Sequence, residues 1–333
     1  MKSGFFKDEN MTVKEKIKII FESRKGEYIS GEELAAEAGC TRGAVWKAVK
    51  SLEAEGYRID AVTNKGYCLA SENDIISEEG IRKYLETDCI SDIHVYRTVD
   101  STNLVMKKIA AEGAKEGTLV VSGEQSAGRG RLGREFFSPP DSGIYMSILL
   151  RPSMEASDAI RITTAAAAAT SETIERITGK KTGIKWVNDI YTENRKVCGI
   201  LTEASFNIEF GGFEYVVPGI GINVYEPEGG FPDEILGVAG AVLKDRVFDT
   251  RNKIIAGIAE SFMKYYSDIN SGSYFESYEK RLMWKGRKIN VISPSGTVPA
   301  VLKGVDRECR LIVEYENGET GIVSSGEISI RLR

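Results

Sequence analysis

With 333 residues, of which 42% are hydrophobic and 28% charged, the chain is long enough for two or three domains with ordinary globular cores. Its formal net charge of −5 excludes a global basic field, and its single histidine excludes a multi-histidine metal site. The five cysteines are odd in number and include no C-x-x-C pair, which argues against a disulfide framework and predicts a reducing compartment.

No segment predicts a membrane protein or a membrane partner. The first residues lack the apolar core of a signal peptide, and no apolar run reaches the roughly 20 residues that a spanning helix needs. We therefore expect a cytoplasmic protein whose chemistry rests on lysine, arginine, aspartate, glutamate and backbone groups.

The first seventy residues predict a winged helix-turn-helix. Apolar residues in 12–23 recur at helical spacing, and a short helix around 32–37 is followed by Gly39, a residue type that ends helices in the left-handed conformation. A second helix is expected over 42–55, and residues 57–70 alternate polar and apolar around a turn, which is typical of a hairpin. Two short helices joined by a glycine-containing turn form a helix-turn-helix.

The helix expected over 42–55 carries basic and aromatic residues that favour DNA binding. In a winged helix it enters the major groove while the hairpin contacts phosphate. The alternative is that these residues are solvated charges on a module that contacts protein. One module makes few phosphate contacts and binds weakly, so DNA binding implies a dimer with two half-sites. The candidate DNA-binding residues are Arg42, Trp46, Lys47, Lys50 and Lys65.

The central segment begins with two strands that end in polar residues. A β-type run over 93–100 is followed by Ser101-Thr102-Asn103, which opens a helical pattern. Residues of these types cap helix N-termini. The alternative is that their polar groups face a ligand at the end of the strand, and nothing local decides between the two. A second strand over 117–126 carries Gln125 near its end.

Residues 127–134 (AGRGRLGR) contain G-x-G-x-x-G, but their flanks exclude a dinucleotide-binding loop. That fingerprint requires a helix that follows the glycines and packs on the strand. Here Phe136, Phe137 and Pro139-Pro140 forbid a helix, and a strand over 144–150 follows. The three arginines suit phosphate or carboxylate, which they bind by paired hydrogen bonds. An exposed, flexible basic connector is the alternative, and the chain contains no Walker A sequence.

A long alanine-rich helix is expected over 158–178, laid across a sheet. The pattern in 183–204 then predicts a hairpin of two strands joined by a turn at Glu193-Asn194. A further apolar strand is expected over 215–225.

Charged side chains and glycines on these strands are candidates for an anion-binding site. Lys185 and Asp189 are placed on the first strand of the hairpin, where positions four apart share a face. Lys196 lies near the start of the second strand. A structural ion pair is the alternative. Gly219 and Gly221 on the later strand would let a ligand approach the backbone.

The C-terminal part predicts a small β-domain. Helices around 251–266 and 274–282 precede short alternating strands over 285–333. Turns are expected at Ser295-Gly296, Asp306 and Asn317-Gly318. This domain either helps to bind a substrate or is structural only.

Taken together, these motifs resemble the biotin protein ligases, in the bifunctional form that also represses the biotin operon. The resemblance covers essentially the full length, and the arginine loop with KWVNDI is its specific part. The matching residues are Ser101-Thr102-Asn103, Gln125, 127–134 (AGRGRLGR), 185–190 (KWVNDI), 196–203 (KVCGILTE), 219–223 (GIGIN) and 326–329 (GEIS).

The resemblance implies an α+β multidomain fold. It places a winged helix-turn-helix over 1–72, with the boundary in the polar stretch 71–79. A central α/β ligase domain over 73–283 would have the mixed sheet with helices found in class II aminoacyl-tRNA synthetases and biotin ligases. A C-terminal SH3-like β-barrel would cover 284–333.

The resemblance also implies a two-step reaction. Biotin and Mg-ATP give biotinyl-5′-AMP and pyrophosphate, and a lysine of a carboxylase's biotin carrier domain then attacks the mixed anhydride and releases AMP. Biotinyl-5′-AMP is also the expected corepressor, promoting a homodimer on operator DNA. No metal-binding residues are assigned, since Mg²⁺ belongs to the ATP complex. A non-catalytic biotin-sensing repressor and a lipoate-type ligase are the alternatives.

The resemblance assigns residues to each role. Those expected to take part in catalysis are Lys196, Arg131, Lys185 and Asp189. Those expected to bind biotin are Ser101, Thr102, Asn103, Gln125, Arg129, Gly130, Arg131, Lys196, Gly199 and Gly219. Those expected to bind ATP and the adenylate are Gly128, Arg131, Arg134, Lys185, Asn188 and Asn223.

Three positions depart from the family pattern. Leu132 stands where many members carry another basic residue, and Phe136 stands where tryptophan is common. The loop after residue 225 lacks the tryptophan that some relatives place against adenine, a role that Phe231 or Val238 would have to take.

Overall fold

The computed structural model describes residues 11–71, 73–155, 159–207, 212–294, 296–324 and 329–333. These residues form two compact units. The first comprises the described residues up to Tyr84 together with Arg246–Lys253, and the second comprises the rest. None of the helices in the described parts of the chain is long and apolar enough to cross a membrane.

The first unit contains the predicted helix-turn-helix and hairpin. Its elements are α1 (Val13–Ser23), α2 (Gly31–Ala38), α3 (Arg42–Ala54), β1 (Ile59–Val62), β2 (Gly66–Leu69) and α4 (Glu78–Arg82). Side chains of Thr12, Ser30 and Thr41 cap the first three helices. Gly39 ends α2 in the left-handed conformation, as predicted. The apolar faces of the three helices share one buried core.

The polar stretch after the hairpin is part of this first unit. Both Asp74 and Arg251 are buried, and the Arg251 backbone N and Nε each donate a hydrogen bond of 3.0 Å to the Asp74 carboxylate. Ser77 then caps α4 with its side chain. A boundary stretch therefore carries a buried ion pair that its polar composition did not predict.

The second unit is built on a seven-stranded mixed sheet. Its strands are β3 (Asp92–Tyr96), β4 (Thr118–Ser122), β5 (Gly143–Ile148), β6 (Gly183–Lys185), β7 (Asp189–Thr192), β8 (Arg195–Asn207) and β9 (Gly212–Asn223), in the spatial order β3-β4-β5-β9-β8-β7-β6. β3 and β4 are parallel, and the other neighbours are antiparallel. The two longest strands, β8 and β9, are paired near the middle of the sheet.

Two helices, α5 (Thr102–Ala111) and α6 (Ala159–Thr178), pack on this sheet. The remaining helices are α7 (Asp233–Leu236), α8 (Thr250–Ser267), whose first residues belong to the first unit, and α9 (Phe275–Lys280), which packs on α6. The alanine-rich face of α6 is fully buried, because small side chains let the helix approach the strands closely. α5 packs on β4, β5 and β9, which fixes the position of Thr102 and Asn103 at its first turn.

The prediction of a single strand through 183–192 is wrong. Lys185 ends β6 and Asp189 begins β7, and the two are paired across an antiparallel hairpin. The chain turns between them because the Trp186 indole N–H donates to the Cys309 carbonyl at 2.9 Å and the Tyr278 hydroxyl donates to the Val187 carbonyl at 3.1 Å. Lys185 and Asp189 still share a face, since cross-strand partners point to the same side of a sheet.

The C-terminal domain is a five-stranded antiparallel sheet within the second unit. Its strands are β10 (Lys288–Ser293), β11 (Gly296–Val305), β12 (Leu311–Tyr315), β13 (Thr320–Val323) and β14 (Ser329–Leu332), in the order β13-β12-β11-β10-β14. The turn predicted at Asn317-Gly318 is present. Ser295 and residues 326–328 of GEIS lie outside the described residues.

Candidate active site

A cleft opens where the first turn of α5, the arginine loop (residues 127–136) and strands β7, β8 and β9 meet. The structure brings most of the predicted site residues to this cleft. They are Ser101, Thr102, Asn103, Gln125, Arg129, Gly130, Arg131, Arg134, Lys185, Asn188, Asp189, Lys196, Gly199 and Gly219. The two remaining candidates, Gly128 and Asn223, border a second cleft instead.

The arginine loop is a folded hairpin-like turn. The Gly130 N–H donates to the Arg134 carbonyl at 2.7 Å, and the Phe136 N–H donates to the Gly128 carbonyl at 2.9 Å. A short 3₁₀ turn over Arg131–Gly133 lies at its tip. The loop is thus tied to itself rather than continuing into a helix, as the flanking residues predicted.

Leu132 lies at the tip of this loop with a positive φ of 58° and 53% of its surface exposed. A left-handed leucine is uncommon, because only glycine and a few polar residues adopt this conformation readily. Leu132 borders the cleft from outside, and the arginines on either side supply the loop's charge. Although Leu132 stands where many members carry a basic residue, three arginines of the loop still border the cleft.

Arg131 connects the arginine loop to Asn188 in the turn between β6 and β7, and both residues line the cleft. Its Nη1 donates to Asn188 Oδ1 at 3.1 Å, and the Asn188 amide in turn donates to the Ile200 carbonyl at 2.8 Å. Burial lowers the pKa of the Arg131 guanidinium, and the negative charge of Asp189 acts against that effect. The guanidinium stays charged at neutral pH, since its ordinary pKa lies far above 7.

A polar wall, formed by Thr102, Asn103 and Gln125 with Ser147 bonded behind them, lines part of the cleft. All but Gln125 are buried. The Gln125 side-chain oxygen accepts from the Thr102 N–H at 2.9 Å, and its nitrogen donates to Ser138 Oγ at 2.9 Å. Ser101 begins α5 but makes no capping hydrogen bond with its side chain, so the helix-capping interpretation does not explain it.

Two lysines concentrate positive charge at the end of the cleft. Lys196 Nζ lies 2.7 Å from Asp189 Oδ1, and its backbone is bonded on both sides to the segment around Val238 and Gly240. Lys185 Nζ lies 5.6 Å from the centre of the Trp284 ring.

Burial lowers the pKa of the Lys185 ammonium group, and the positive charges of Lys196 and Arg331 lower it further, while Asp189 acts in the opposite direction. Like charges are thus held together in a partly desolvated place. Such an arrangement suits a strongly anionic ligand, which relieves the repulsion when it binds.

Three residues lie at or beside this site although the sequence pattern assigned them no role in binding. Phe136 lies over Gly199 and Gly221, and a side chain at Gly221 would overlap its ring. Trp284 and Arg331 come from the C-terminal part of the chain. Their positions depend on tertiary packing, so periodicity could not reveal them.

The second cleft adjoins the first and shares Gln125, Arg134, Glu135, Phe136 and Lys196 with it. Apolar residues of the segment after β9 line its far side, among them Ile235 and Val238. Val238 is 53% exposed, and Phe231 is not among the lining residues. Because Lys196 lines both clefts, a group bound in one cleft and a group bound in the other could meet beside it.

The candidate DNA-binding residues lie on the surface of the first unit. Arg42, Trp46, Lys47 and Lys50 are exposed on α3, and Lys65 is exposed at the hairpin tip. Trp46 is 53% exposed, which is unusual for a tryptophan without a partner surface. Lys65 lies 5.6 Å from the centre of the Tyr28 ring.

Comparison with known proteins bears on both units. Residues 13–68 match a family model described as an HTH domain, residues 95–223 match the biotin/lipoate A/B protein ligase family, and residues 286–331 match the biotin protein ligase C terminal domain. The bifunctional ligase/repressor BirA of Bacillus spizizenii is 34% identical over 316 residues, covering 92% of this chain and 95% of that protein. The chain belongs to the BirA family of bifunctional ligase/repressors.

Other members and structures agree with this BirA-family assignment. The Escherichia coli bifunctional ligase/repressor BirA is 26% identical over 95% of this chain and 97% of that protein. The biotin protein ligase from Aquifex aeolicus in complex with biotin and ATP matches with a TM-score of 0.62 and 25% identity, covering 73% of this chain and all of that one. The α+β fold predicted for a biotin ligase with an N-terminal helix-turn-helix is therefore confirmed.

Proposed function

We propose that this BirA-family protein joins biotin to ATP, forming biotinyl-5′-AMP and pyrophosphate, and then transfers biotin to a lysine of a biotin carrier domain. The observation that carries the proposal is the position of Lys196, which borders both clefts and lies beside Lys185 and Arg131. A carboxylate held in one cleft and a triphosphate held in the other would meet at this group of positive charges.

In the first step a biotin carboxylate oxygen attacks the α-phosphorus of ATP, and the bond to the β-phosphate oxygen breaks. The reaction needs little proton transfer, so positioning and charge neutralisation are the main sources of rate. Lys196 and Arg131 would neutralise the carboxylate and the α-phosphate, while Asp189 orients Lys196. The polar wall would hold the ureido ring at the other end of biotin.

In the second step the neutral amine of the carrier lysine attacks the acyl carbon of the mixed anhydride. An amide forms, AMP leaves, and the amine loses one proton. The positively charged residues that stabilised the phosphate in the first step would stabilise AMP as the leaving group. The arginine loop would cover the intermediate and exclude water until the carrier arrives.

Mg²⁺ enters this proposal as part of the ATP substrate. Oxygen ligands and phosphates are what Mg²⁺ prefers in nucleotide sites. Glu135 borders both clefts, and Glu124 and Glu234 border the second, whereas Asp189 of the first cleft is already paired with Lys196. The residues present therefore fit an ion carried by phosphate oxygens, with carboxylates of the second cleft near enough to complete its oxygen ligands.

The lowered pKa of Lys185 gives a pH dependence. Since the ammonium form must be present to bind phosphate, adenylation should fall on the alkaline side at a pH below the ordinary lysine value of about 10.4. Lys185→Arg should move this fall to higher pH, because a guanidinium stays charged there. The measurement is kcat/KM for biotin against pH in both proteins, and an unmoved alkaline limb would exclude Lys185 as its origin.

Biotin-dependent exchange of pyrophosphate into ATP tests the first step directly. We expect exchange with biotin, ATP and Mg²⁺, and none when biotin is omitted. Absence of exchange despite biotin binding would favour a repressor that senses biotin without catalysis. Exchange driven equally well by lipoate would favour the lipoate-type ligase, and competition between the two acids shows whether they share the site.

We also propose that the first unit binds operator DNA as part of a homodimer that forms when biotinyl-5′-AMP is bound. Exposed Arg42, Trp46, Lys47, Lys50 and Lys65 supply base and phosphate contacts of the kind that winged helices make. Sedimentation should show the mass doubling when biotinyl-5′-AMP is added. An unchanged mass at concentrations that saturate the site would contradict this part of the proposal.

The proposed domain boundaries are 1–72, 73–283 and 284–333, and the proposed location is the cytoplasm. The five cysteines without a C-x-x-C pair support a reducing compartment. A carboxylase carrier domain and the repressed genes would be found in the same compartment.

A further inference from the structure

Behind the polar wall lies a charged pair that neither cleft exposes. Lys107 Nζ donates to Glu203 Oε1 at 2.7 Å, and the two side chains are 29% and 26% exposed. Lys107 follows Asn103 by four residues on α5, so both side chains project from the same face of the helix. Glu203 lies on β8, two residues beyond Leu201, and therefore on the same face of the strand.

The other oxygen of Glu203 is bonded to Asn103. Asn103 Nδ2 donates to Glu203 Oε2 at 2.8 Å and to the Leu201 carbonyl at 3.1 Å, so both amide hydrogens are used. Because two acceptors lie on this side, the NH₂ group must face them and Oδ1 must face the opposite side. A carboxylate and a carbonyl thus fix the orientation of a buried amide beside the cleft.

The fixed amide oxygen continues the connection to the cleft. Ser147 Oγ donates to Asn103 Oδ1 at 2.7 Å and lies 2.8 Å from Thr102 Oγ1. A side chain at Gly219 would overlap Asn103 Oδ1, so the amide packs directly against the backbone of β9 at this glycine. The position of the Thr102 hydroxyl therefore depends on Asn103, and that of Asn103 depends on Glu203.

Glu203 remains ionised in this place. Burial raises the pKa of its carboxyl, but the hydrogen bonds from Lys107 and Asn103 outweigh burial and hold that pKa below its ordinary value. An ionised acceptor makes a stronger hydrogen bond than a neutral one. Lys107 thus keeps Glu203 in the form that holds Asn103 most firmly.

We propose that Glu203, paired with Lys107, is a positioning residue for biotin: through Asn103 and Ser147 it holds the Thr102 end of the polar wall in the geometry that receives the ureido ring. The inference rests on the proposed function, because it assigns biotin to this cleft. Glu203 itself does not line the cleft and is hydrogen-bonded to it through Asn103, while its negative charge also attracts Arg129 of the arginine loop. ATP, which would occupy the other side of Lys196, should not depend on it.

Calorimetric titration of biotin without ATP tests this inference. Glu203→Ala should raise the Kd for biotin about tenfold to a hundredfold, as expected for a lost charged hydrogen bond that also frees a neighbouring amide. Glu203→Gln keeps an oxygen for Asn103 but loses the charge, so the Kd should rise about fivefold. Lys107→Met should have a smaller effect of the same sign.

A double-mutant cycle separates positioning from general destabilisation. If Glu203 acts through Asn103, then Glu203→Ala should add nothing to the effect of Asn103→Ala on the Kd for biotin. Glu214→Ala is the matched control, since Glu214 lies on the neighbouring β9 and accepts a 2.8 Å bond from Ser205 away from the cleft. This control should leave the Kd for biotin and the KM for ATP unchanged.

Three results would overturn the inference. The first is a Kd for biotin in the Glu203→Ala protein within about twofold of that of the unchanged protein. The second is a KM for ATP that rises as much as the Kd for biotin. The third is a double variant in which the fold-changes in Kd caused by Glu203→Ala and Asn103→Ala multiply. If Glu203→Ala does not fold, Glu203→Gln decides alone, and a change below about twofold overturns the inference. If the unchanged protein binds no biotin, the proposed function fails instead, so the two failures are distinguishable.

Discussion

Replacing Lys196 by methionine should slow adenylate formation by on the order of 100- to 1,000-fold, the loss typical of removing one preorganised charge from an active site. Methionine keeps much of the length of the side chain but cannot neutralise a carboxylate or a phosphate. Lys196 borders both clefts, whereas the neighbouring Lys185 borders only the first, and the backbone of Lys196 is held on both sides by the segment around Val238 and Gly240. Biotin-dependent pyrophosphate release in a single turnover measures the effect.

Lys180→Met is the matched control for this substitution. Lys180 precedes the same β6–β7–β8 segment and pairs with Glu193 at 2.9 Å, outside both clefts. Its loss should leave the rate within about twofold, since an exposed ion pair contributes little. A Lys196→Met protein as fast as the control would contradict the placement of the reaction at Lys196.

Replacing Arg131 by glycine should let the intermediate escape. Biotinyl-5′-AMP release should speed up by on the order of 100-fold, because a charge-assisted bond to the phosphate and the contact that holds the loop over the cleft are both lost. The contact is the 3.1 Å hydrogen bond from Arg131 to Asn188. Release is measured by chasing bound labelled intermediate with excess unlabelled biotinyl-5′-AMP.

Arg131→Lys provides the comparison for this release experiment. Lysine keeps the charge but lacks the planar fork that binds phosphate and Asn188 together, so its release rate should lie between those of Arg131 and Arg131→Gly. An unchanged release rate in Arg131→Gly would show that the loop covers the intermediate without this residue.

The sequence pattern predicted the elements well where local rules decide them. The left-handed Gly39 at the end of α2 follows from helix-ending preferences, and the arginine loop could be separated from a dinucleotide loop because Phe136 and Pro139-Pro140 cannot continue a helix. These features depend on neighbours within a few residues of each other.

The sequence pattern misled where distant contacts decide. Residues 183–192 alternate as one strand would, yet they turn because Trp186 and Val187 bond to Cys309 and Tyr278, which lie about ninety or more positions away in the sequence. Trp284, Arg331 and the Lys107–Glu203 pair reach the site or its support in the same way. The residue types in the sequence predict which charged side chains form the site, but they do not predict the packing that positions those side chains.

Labelling of a carrier domain tests directly whether this protein transfers biotin to a carrier lysine. The protein is incubated with labelled biotin, ATP, Mg²⁺ and the lysine-bearing apo carrier domain of a biotin-dependent carboxylase, alongside a carrier in which that lysine is arginine. We expect label on the first carrier only, dependent on ATP and nearly absent with Lys196→Met. No label on the lysine carrier, in protein that binds biotin and ATP, would contradict it.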